Sequence, residues 1–407
     1  MDILDTLKNL EDTRSADIEQ WFMARRGEAK PFFYSSVDLR HCGYKLAPVD
    51  TNLFPAGFHN LSPAARNRAS RLIGQLLEEH HAKRVLIIPE NHTRNLAYLD
   101  NLATLLSLFE TAGVQVHLGS LIAPPGQPVI LTAPSGRELT EHPLKRSGDT
   151  LALENGFTPD LIILNNDMTA GSPDILHSLS QPLLPPVEMG WYRRRKSVHF
   201  TAYRALINDF CATFDLDPWL LAAEFYQCGF VDFKERTGLD CVAQGIEKVL
   251  AEVRKKYAQY GITDKPYVFI KADSGTYGMG IMTVESPDDI FEMNKKERNK
   301  MQVIKEGAQV SEVIIQEGIP TLDRVQDKPA EPMIYLVDGI PVGGMFRFNG
   351  QRDAYGNLNA AGMEFTGMCD ETEPLTDPWK KIIACHFRSY GIIAAIAALA
   401  AAREEYA

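Results

Sequence analysis

A lysine near the end of a strand-like run, followed at once by a glycine-rich loop, is the arrangement in this sequence best suited to chemistry. Tyr267-Val-Phe-Ile-Lys-Ala272 reads as a strand carrying Lys271, and it runs into Asp273-Ser-Gly-Thr-Tyr-Gly-Met-Gly280 and then a second strand, Ile281–Val284. Glycines at 275, 278 and 280 let the backbone turn tightly and expose N–H groups to an anion. A lysine within a buried strand needs a partner to offset its desolvation, so a phosphate beside Lys271 is the chemistry expected. The alternative is an ordinary Gly-rich hairpin with Lys271 reaching solvent. The competing phosphate motifs fail: GxxxxGK[ST] does not occur, and GxGxxG must open a helix whereas this loop joins two strands.

Later features follow in a suggestive order. Ser311–Ile319 reads as a strand ending in the polar pair Gln316-Glu317. Met333–Val337, Asp338-Gly339 and Ile340–Arg347 read as a β-hairpin with an Asp-Gly turn. Arg347, Asn349, Arg352 and the run Gly356-Asn-Leu-Asn-Ala-Ala-Gly362 come next.

On these residues the chain resembles the ATP-grasp superfamily, and within it the glutathione synthetase-like ligases. The resemblance implies that Lys271 and the loop Ser274, Gly275, Thr276, Gly278 and Gly280 cover the phosphates of ATP. It implies a hinge at Gln316-Glu317-Gly318-Ile319 that presents backbone and a carboxylate to adenine. Lys196, in Arg193-Arg-Arg-Lys-Ser-Val-His199, matches the second ATP lysine, which lies upstream before a helix. Gly356–Gly362 is similar to the GNLAAGG segment that approaches phosphate and metal. The N-terminal wording Ser36–Phe58, with Pro89–Asn95, resembles the proteobacterial ATP-grasp glutamate–cysteine ligases over nearly the whole chain. That implies formation of γ-glutamylcysteine from L-glutamate, L-cysteine and ATP with Mg²⁺. One departure stands out: the glutathione synthetase pattern ends in an acidic strand with an E-x-N metal pair, and nothing after Pro378 offers one. Asn357, Asn359, Glu364 and Asp370 are then the candidate metal ligands.

The expected chemistry is phosphorylation of a carboxylate followed by attack of an amine, so no enzyme nucleophile is needed. Positioning and neutralisation of phosphate charge by Mg²⁺, Lys and Arg would carry catalysis. Arg347 and Arg352 are candidates for stabilising the transferring group, with a surface or ion-pair role as the even alternative. Arg40, Lys45, Asp50 and Asn52 sit in a stretch read as an irregular loop and are candidates for binding an amino acid. Arg40 and Asn52 are preferred there, against equal odds of loop-structural roles. Arg94, just after a strand end, is a further carboxylate-binding candidate, since ligands gather at the C-terminal ends of parallel strands. His41, His59, His92 and His199 have no metal-ligand spacing and read as structural. Rival functions are another carboxylate–amine ligase such as a glutathione synthetase, or an ATP-binding regulatory protein without turnover. A nicotinamide enzyme is disfavoured because the N-terminal half has no GxGxxG.

The elements that must position these groups are legible in outline. Residues 1–30 read as a helix, Phe32–Val37 as a strand, Arg40–Leu61 as irregular, and Ser62–His81 as a helix with Ser62 as N-cap and Pro63 in its first turn. Strand-like Arg84–Ile88, Val114–Leu118 and Asp160–Leu164 alternate with helical Asn95–Ala112, which predicts a parallel, Rossmann-like sheet. Val129–Ala133 and Thr150–Leu153 suggest a hairpin insertion. A mostly helical stretch then runs from Gly190 to Tyr260, strands dominate to Gly362, and Trp379–Glu405 closes the chain as a helix. The expected class is α/β and α+β: a Rossmann-like pre-ATP-grasp domain over 1–187, then an ATP-grasp domain over 188–407 with a lid around 255–315. The chain has 407 residues, 45% hydrophobic and 23% charged, and a formal net charge of −11. That charge argues against non-specific nucleic-acid binding but not against a local basic cleft. The six cysteines form no CxxC and are expected as reduced thiols. No signal peptide or membrane span is read, so a cytoplasmic protein, open to homo-oligomerisation, is expected.

Overall fold

Between Ser62 and Asn165 the strand–helix alternation builds a parallel sheet. The computed structural model describes residues 2–91, 95–274, 280–302, 310–368 and 386–405. Strands β3 (Arg84–Pro89), β4 (Gln115–Ser120), β8 (Leu161–Asn165) and β9 (Leu183–Leu184) are mutually parallel, in the order β4-β3-β8-β9. Helices α2 (Pro63–Glu79) and α3 (Leu96–Thr111) cover one face, and the Ser62 hydroxyl accepts from the Ala65 N–H at 3.1 Å as the cap. The expected hairpin of Val129–Ala133 with Thr150–Leu153 is corrected. Both β5 (Val129–Thr132) and β7 (Thr150–Leu153) pair with an intervening strand, β6 (Glu138–Ser147).

A second sheet carries the Lys271 strand. Its order is β10-β13-β11-β12, all antiparallel, from β10 (Phe225–Gly229), β11 (Val268–Ala272), β12 (Ile281–Val284) and β13 (Glu312–Glu317). The apolar side chains Val268, Ile270, Val313 and Ile315 pack under α5 (Leu239–Tyr260), which leaves the alternate face, with Phe269 and Lys271, to the cleft. Strand β10 interrupts the stretch expected to be helical. Cys228 on β10 is disulfide-bonded to Cys241 on α5, which corrects the expectation of reduced thiols there. Cys42 and Cys211 are buried and free. Short helices α6 (Asp289–Glu292) and α7 (Lys295–Gln302) follow β12.

The third sheet joins the two ends of the chain. Its order is β17-β16-β15-β1-β2, from β1 (Tyr34–His41), β2 (Leu46–Asn52), β15 (Lys328–Val337), β16 (Ile340–Phe348) and β17 (Glu364–Gly367), with β14 (Arg324–Val325) beside β15. The β15–β16 turn is Asp338-Gly339, both at positive φ, as a two-residue primed turn requires. Strand pairing therefore crosses residue 187, because the N-terminal hairpin β1–β2 continues a sheet built by residues 324–367. Strand β2 corrects the irregular reading of Arg40–Leu61. Pro48 punctuates that segment, yet β2 is an edge strand and Pro48 faces the register shift at Asp38/Leu39, where a missing N–H is tolerated.

Helix α8 (Phe387–Ala401), alanine-rich and buried along its whole length, packs on β1, β2, β15 and β16 with α1 (Ile3–Glu28) and α4 (Lys196–Phe214) around it. It begins at Phe387, not at Trp379; residues 379–385 lie outside those described. Among the described residues no helix is long and apolar enough to cross a membrane. The mixed α/β and α+β class is as expected.

Candidate active site

Strand β11 ends against the start of α4, and the reason is one aspartate. The α4 N-cap, Arg195, gives no side-chain cap. Asp273, just past β11, replaces it: its carboxylate accepts from the Ser197 N–H at 2.8 Å and the Ser197 hydroxyl at 2.6 Å, and its carbonyl accepts from the Lys196 N–H at 2.7 Å. This brings Lys196 and Lys271 to one cleft, where the β1–β2 hairpin and β15–β16 supply the opposite wall. The lining includes Asp38, Arg40, Asp50, Lys196, Lys271, Ser274, Glu331, Arg347, Asn357 and Asn359.

Charge alternates across that lining. Lys196 donates to Asp50 Oδ1 at 2.6 Å and sits over the Trp191 ring. Lys271 donates to Gln316 Oε1 at 2.7 Å and to the Val49 carbonyl at 3.2 Å. Burial holds the Lys271 ammonium down at about 8 from 10.5, against the pull of Asp50. Burial raises the Asp50 carboxyl, but Lys196, Lys271 and Arg194 more than offset it and leave it below its ordinary value. Burial dominates at Asp38, which is raised despite Arg347. Two donors, Gln316 Nε2 and Arg347 Nε, are buried without a hydrogen-bond partner. Such groups are costly unless something occupies the cleft beside them.

Of the residues expected to act, Arg40, Lys196, Lys271, Ser274, Arg347, Asn357 and Asn359 meet here, and Gln316 lies behind Lys271. Gly280 follows the loop at φ +61 and its carbonyl accepts from the Ala272 N–H. Gly275, Thr276, Gly278 and Arg94, with His92 and Asp370, lie outside the described residues.

Other candidates fall away from the cleft. Lys45, expected to meet substrate, is wholly buried: its ammonium donates to both Glu317 oxygens at 2.6 Å and sits 3.9 Å from the Trp219 ring centroid. The same contact consumes the Glu317 carboxylate, which also accepts from the Glu224 N–H, so it is not a free carboxylate for adenine. Ile319 is buried and offers its carbonyl to Arg40 at 3.4 Å. Gly318 between them is required, since a Cβ would lie 2.2 Å from the Tyr267 ring. Asn52 is spent on an Asx turn to the Phe54 N–H at 2.9 Å. Arg352 is exposed on a turn outside the lining. Glu364 is exposed and paired with Lys328 at 2.6 Å, so it is not placed with Asn357 and Asn359. Asp50, expected to bind an amino acid from an irregular loop, lines the cleft from strand β2, and Asp38 and Glu331, for which the sequence suggested no role, line it too. A signal existed for Asp38: Ser36, Asp38 and Arg40, two apart in sequence, share one polar face of β1.

The donor set suits a hard cation. Asp38 and Asp50 are direct partners across β1 and β2, an arrangement of like charges that destabilises a sheet. Each is held by a single cation through one oxygen, Asp38 by Arg347 at 2.9 Å and Asp50 by Lys196. Asn357 and Asn359 add amide oxygens to the same lining. Two carboxylates completed by substrate phosphates are what Mg²⁺ ordinarily takes. Among the described residues no three His, Cys, Asp or Glu side chains group as a metal site on their own.

A family model described as glutamate-cysteine ligase matches residues 9–405. A proposed γ-glutamylcysteine synthetase from Methylobacillus flagellatus KT superposes with a TM-score of 0.88 at 43% identity, covering 99% of this chain and 96% of that one. A glutathione synthetase-like effector from Globodera pallida gives 0.42 at 9% identity, over 89% of this chain and 85% of the other. D-alanyl-alanine synthetase A from Vibrio cholerae gives 0.31 at 12%, over 74% and 78%. Those last two values are too low to bear on function. No curated protein matches the chain.

Proposed function

The chain belongs to the glutamate–cysteine ligase family, and from that membership we propose that it joins the γ-carboxylate of L-glutamate to the amine of L-cysteine with cleavage of ATP. The observation that carries this reading is the convergence of Lys196, Lys271 and Arg347 with Asp38 and Asp50 on one cleft.

A glutamate γ-carboxylate oxygen attacks the γ-phosphorus of ATP, ADP leaves, and an acyl phosphate forms. The cysteine amine then attacks the acyl carbon, loses a proton, and inorganic phosphate departs. Lys271 and Lys196 hold phosphate oxygens, and their pairing with Gln316 and Asp50 keeps both extended into the cleft. Arg347, with Nε unmet, faces the transferring group and stabilises the charge that develops there. Asp38 and Asp50 would hold Mg²⁺, with Asn357 and Asn359 beside them. When bound, the ion neutralises phosphate charge.

Phosphate release with pairs of amino acids tests the substrate assignment. Turnover is expected with glutamate plus cysteine. Turnover that requires γ-glutamylcysteine plus glycine, with none from glutamate plus cysteine, would replace this reading with a glutathione synthetase. No ADP formation with any pair would favour a non-catalytic nucleotide-binding protein.

A further inference from the structure

We infer that Glu331 is the positioning residue of this site, aiming Arg347 at the transferring group and fixing, through Arg40, the loop that carries Asn357 and Asn359. The inference rests on the proposed ligase reaction. Glu331 stands directly opposite Arg347 on β15 and β16, and its two oxygens are divided between two arginines. Oε1 accepts from Arg347 Nη1 at 2.6 Å and Oε2 from Arg40 Nε at 2.7 Å, with all three side chains buried.

The two arginines then differ in what they have left. Arg40 donates from Nη2 to the Gly356 carbonyl at 2.7 Å and from Nη1 to the Ala354 and Ile319 carbonyls at 3.2 and 3.4 Å. Its fork is therefore spent on the end of the hinge segment and on the turn just before Asn357. A guanidinium so occupied has little to offer a substrate carboxylate, the role expected of Arg40 from sequence. Arg347, which lines the cleft, uses Nη1 for Glu331 and Asp38 and keeps Nε without a hydrogen-bond partner. One carboxylate thus orients the arginine that faces the reaction and clamps the arginine that ties two segments of the wall. Its own charge is kept by these neighbours: burial raises the Glu331 carboxyl, and Arg40 and Arg347 bring it below its ordinary value.

The test is Glu331→Gln, read by kcat and by ADP affinity separately. The variant is expected to lose about 100-fold in kcat, the scale of a small misplacement of a catalytic group. Its Kd for ADP is expected to change by less than about threefold, because neither Lys196 nor Lys271 hydrogen-bonds Glu331 and its charge is the smallest of the influences on Lys271. Glu331→Gln combined with Arg347→Ala is expected to be little slower than Arg347→Ala alone, since both remove the same alignment. A kcat within about threefold of wild type, equal losses in kcat and ADP affinity, or effects that multiply would each overturn the role. Should Glu331→Gln fail to fold, Glu331→Asp keeps the charge and withdraws it by a methylene. The same kcat-selective loss is expected of it, and wild-type kcat would overturn the proposal. Wild-type turnover of glutamate and cysteine, measured first, separates a failure of the substrate reading, which takes this proposal with it, from a failure of Glu331 alone.

Discussion

Lys271→Ala is expected to weaken ATP binding strongly and to lower kcat/KM by about 10²–10³-fold, the range for removing one preorganised donor from developing charge, or about 3–4 kcal/mol. The size follows from burial. Lys271 keeps only 9% of its surface exposed, so its ammonium acts in a low-dielectric wall where Gln316 and the Val49 carbonyl already fix its direction. The alanine variant also relieves an unfavourable buried charge, so no large loss of stability is expected. A pH signature belongs to the same residue. The folded value of about 8 lies below the unfolded 10.5, so between these the unfolded chain binds more protons and stability rises with pH. Nucleotide affinity moves the opposite way: phosphate needs the protonated amine, so affinity falls as pH rises above about 8. Lys271→Ala should abolish that pH dependence. Calorimetry with ADP at pH 7 and pH 9 measures both, and an unchanged affinity in the variant would refute the assignment.

Asp50→Asn is expected to give the second large loss. In the proposed site Asp50 would serve twice, as a carboxylate for Mg²⁺ opposite Asp38 and as the partner of Lys196 at 2.6 Å. The affinity for Mn²⁺ in the presence of ADP, read by electron paramagnetic resonance, should fall by more than the about 10–100-fold typical of losing only an outer-shell partner. Turnover should fall with it and recover only in part at high Mg²⁺. Asp38→Asn should weaken Mn²⁺ in the same sense. Mn²⁺ bound as tightly by both variants as by the wild type would move the metal site elsewhere.

Elements with a strong local signal were legible in the sequence. The strands β11 and β12, the hairpin at Asp338-Gly339 and the parallel strands around Arg84–Ile88 all emerge where periodicity and turn residues agree. Strand β2 was not legible, because Pro48 and the surrounding Gly and Asn residues punctuate it, and only pairing with β1 makes it a strand. That one omission hid most of what was misplaced in the site. With Arg40–Leu61 read as a loop, Asp50 was grouped with amino-acid binders, and Asp38 and Glu331 had no common wall to belong to. Lys45 illustrates the opposite error. Its type suggested a ligand contact, whereas its partner Glu317 lies 272 residues away in sequence, and no local pattern reports such a pairing. Arg40 joins the cleft as expected, but its hydrogen bonds make it a clamp.

The central claim is that the cleft activates the glutamate γ-carboxylate by phosphorylation, and oxygen transfer tests it most directly. Glutamate labelled with ¹⁸O in the γ-carboxylate is incubated with cysteine, ATP and Mg²⁺, and the inorganic phosphate is analysed by mass spectrometry. Labelled phosphate is expected, with one ¹⁸O transferred for each γ-glutamylcysteine formed, and it should appear about 10²–10³-fold more slowly at low substrate when Lys271→Ala replaces the wild type. γ-Glutamylcysteine formed with unlabelled phosphate, or ATP cleaved to ADP with no dipeptide, would contradict it.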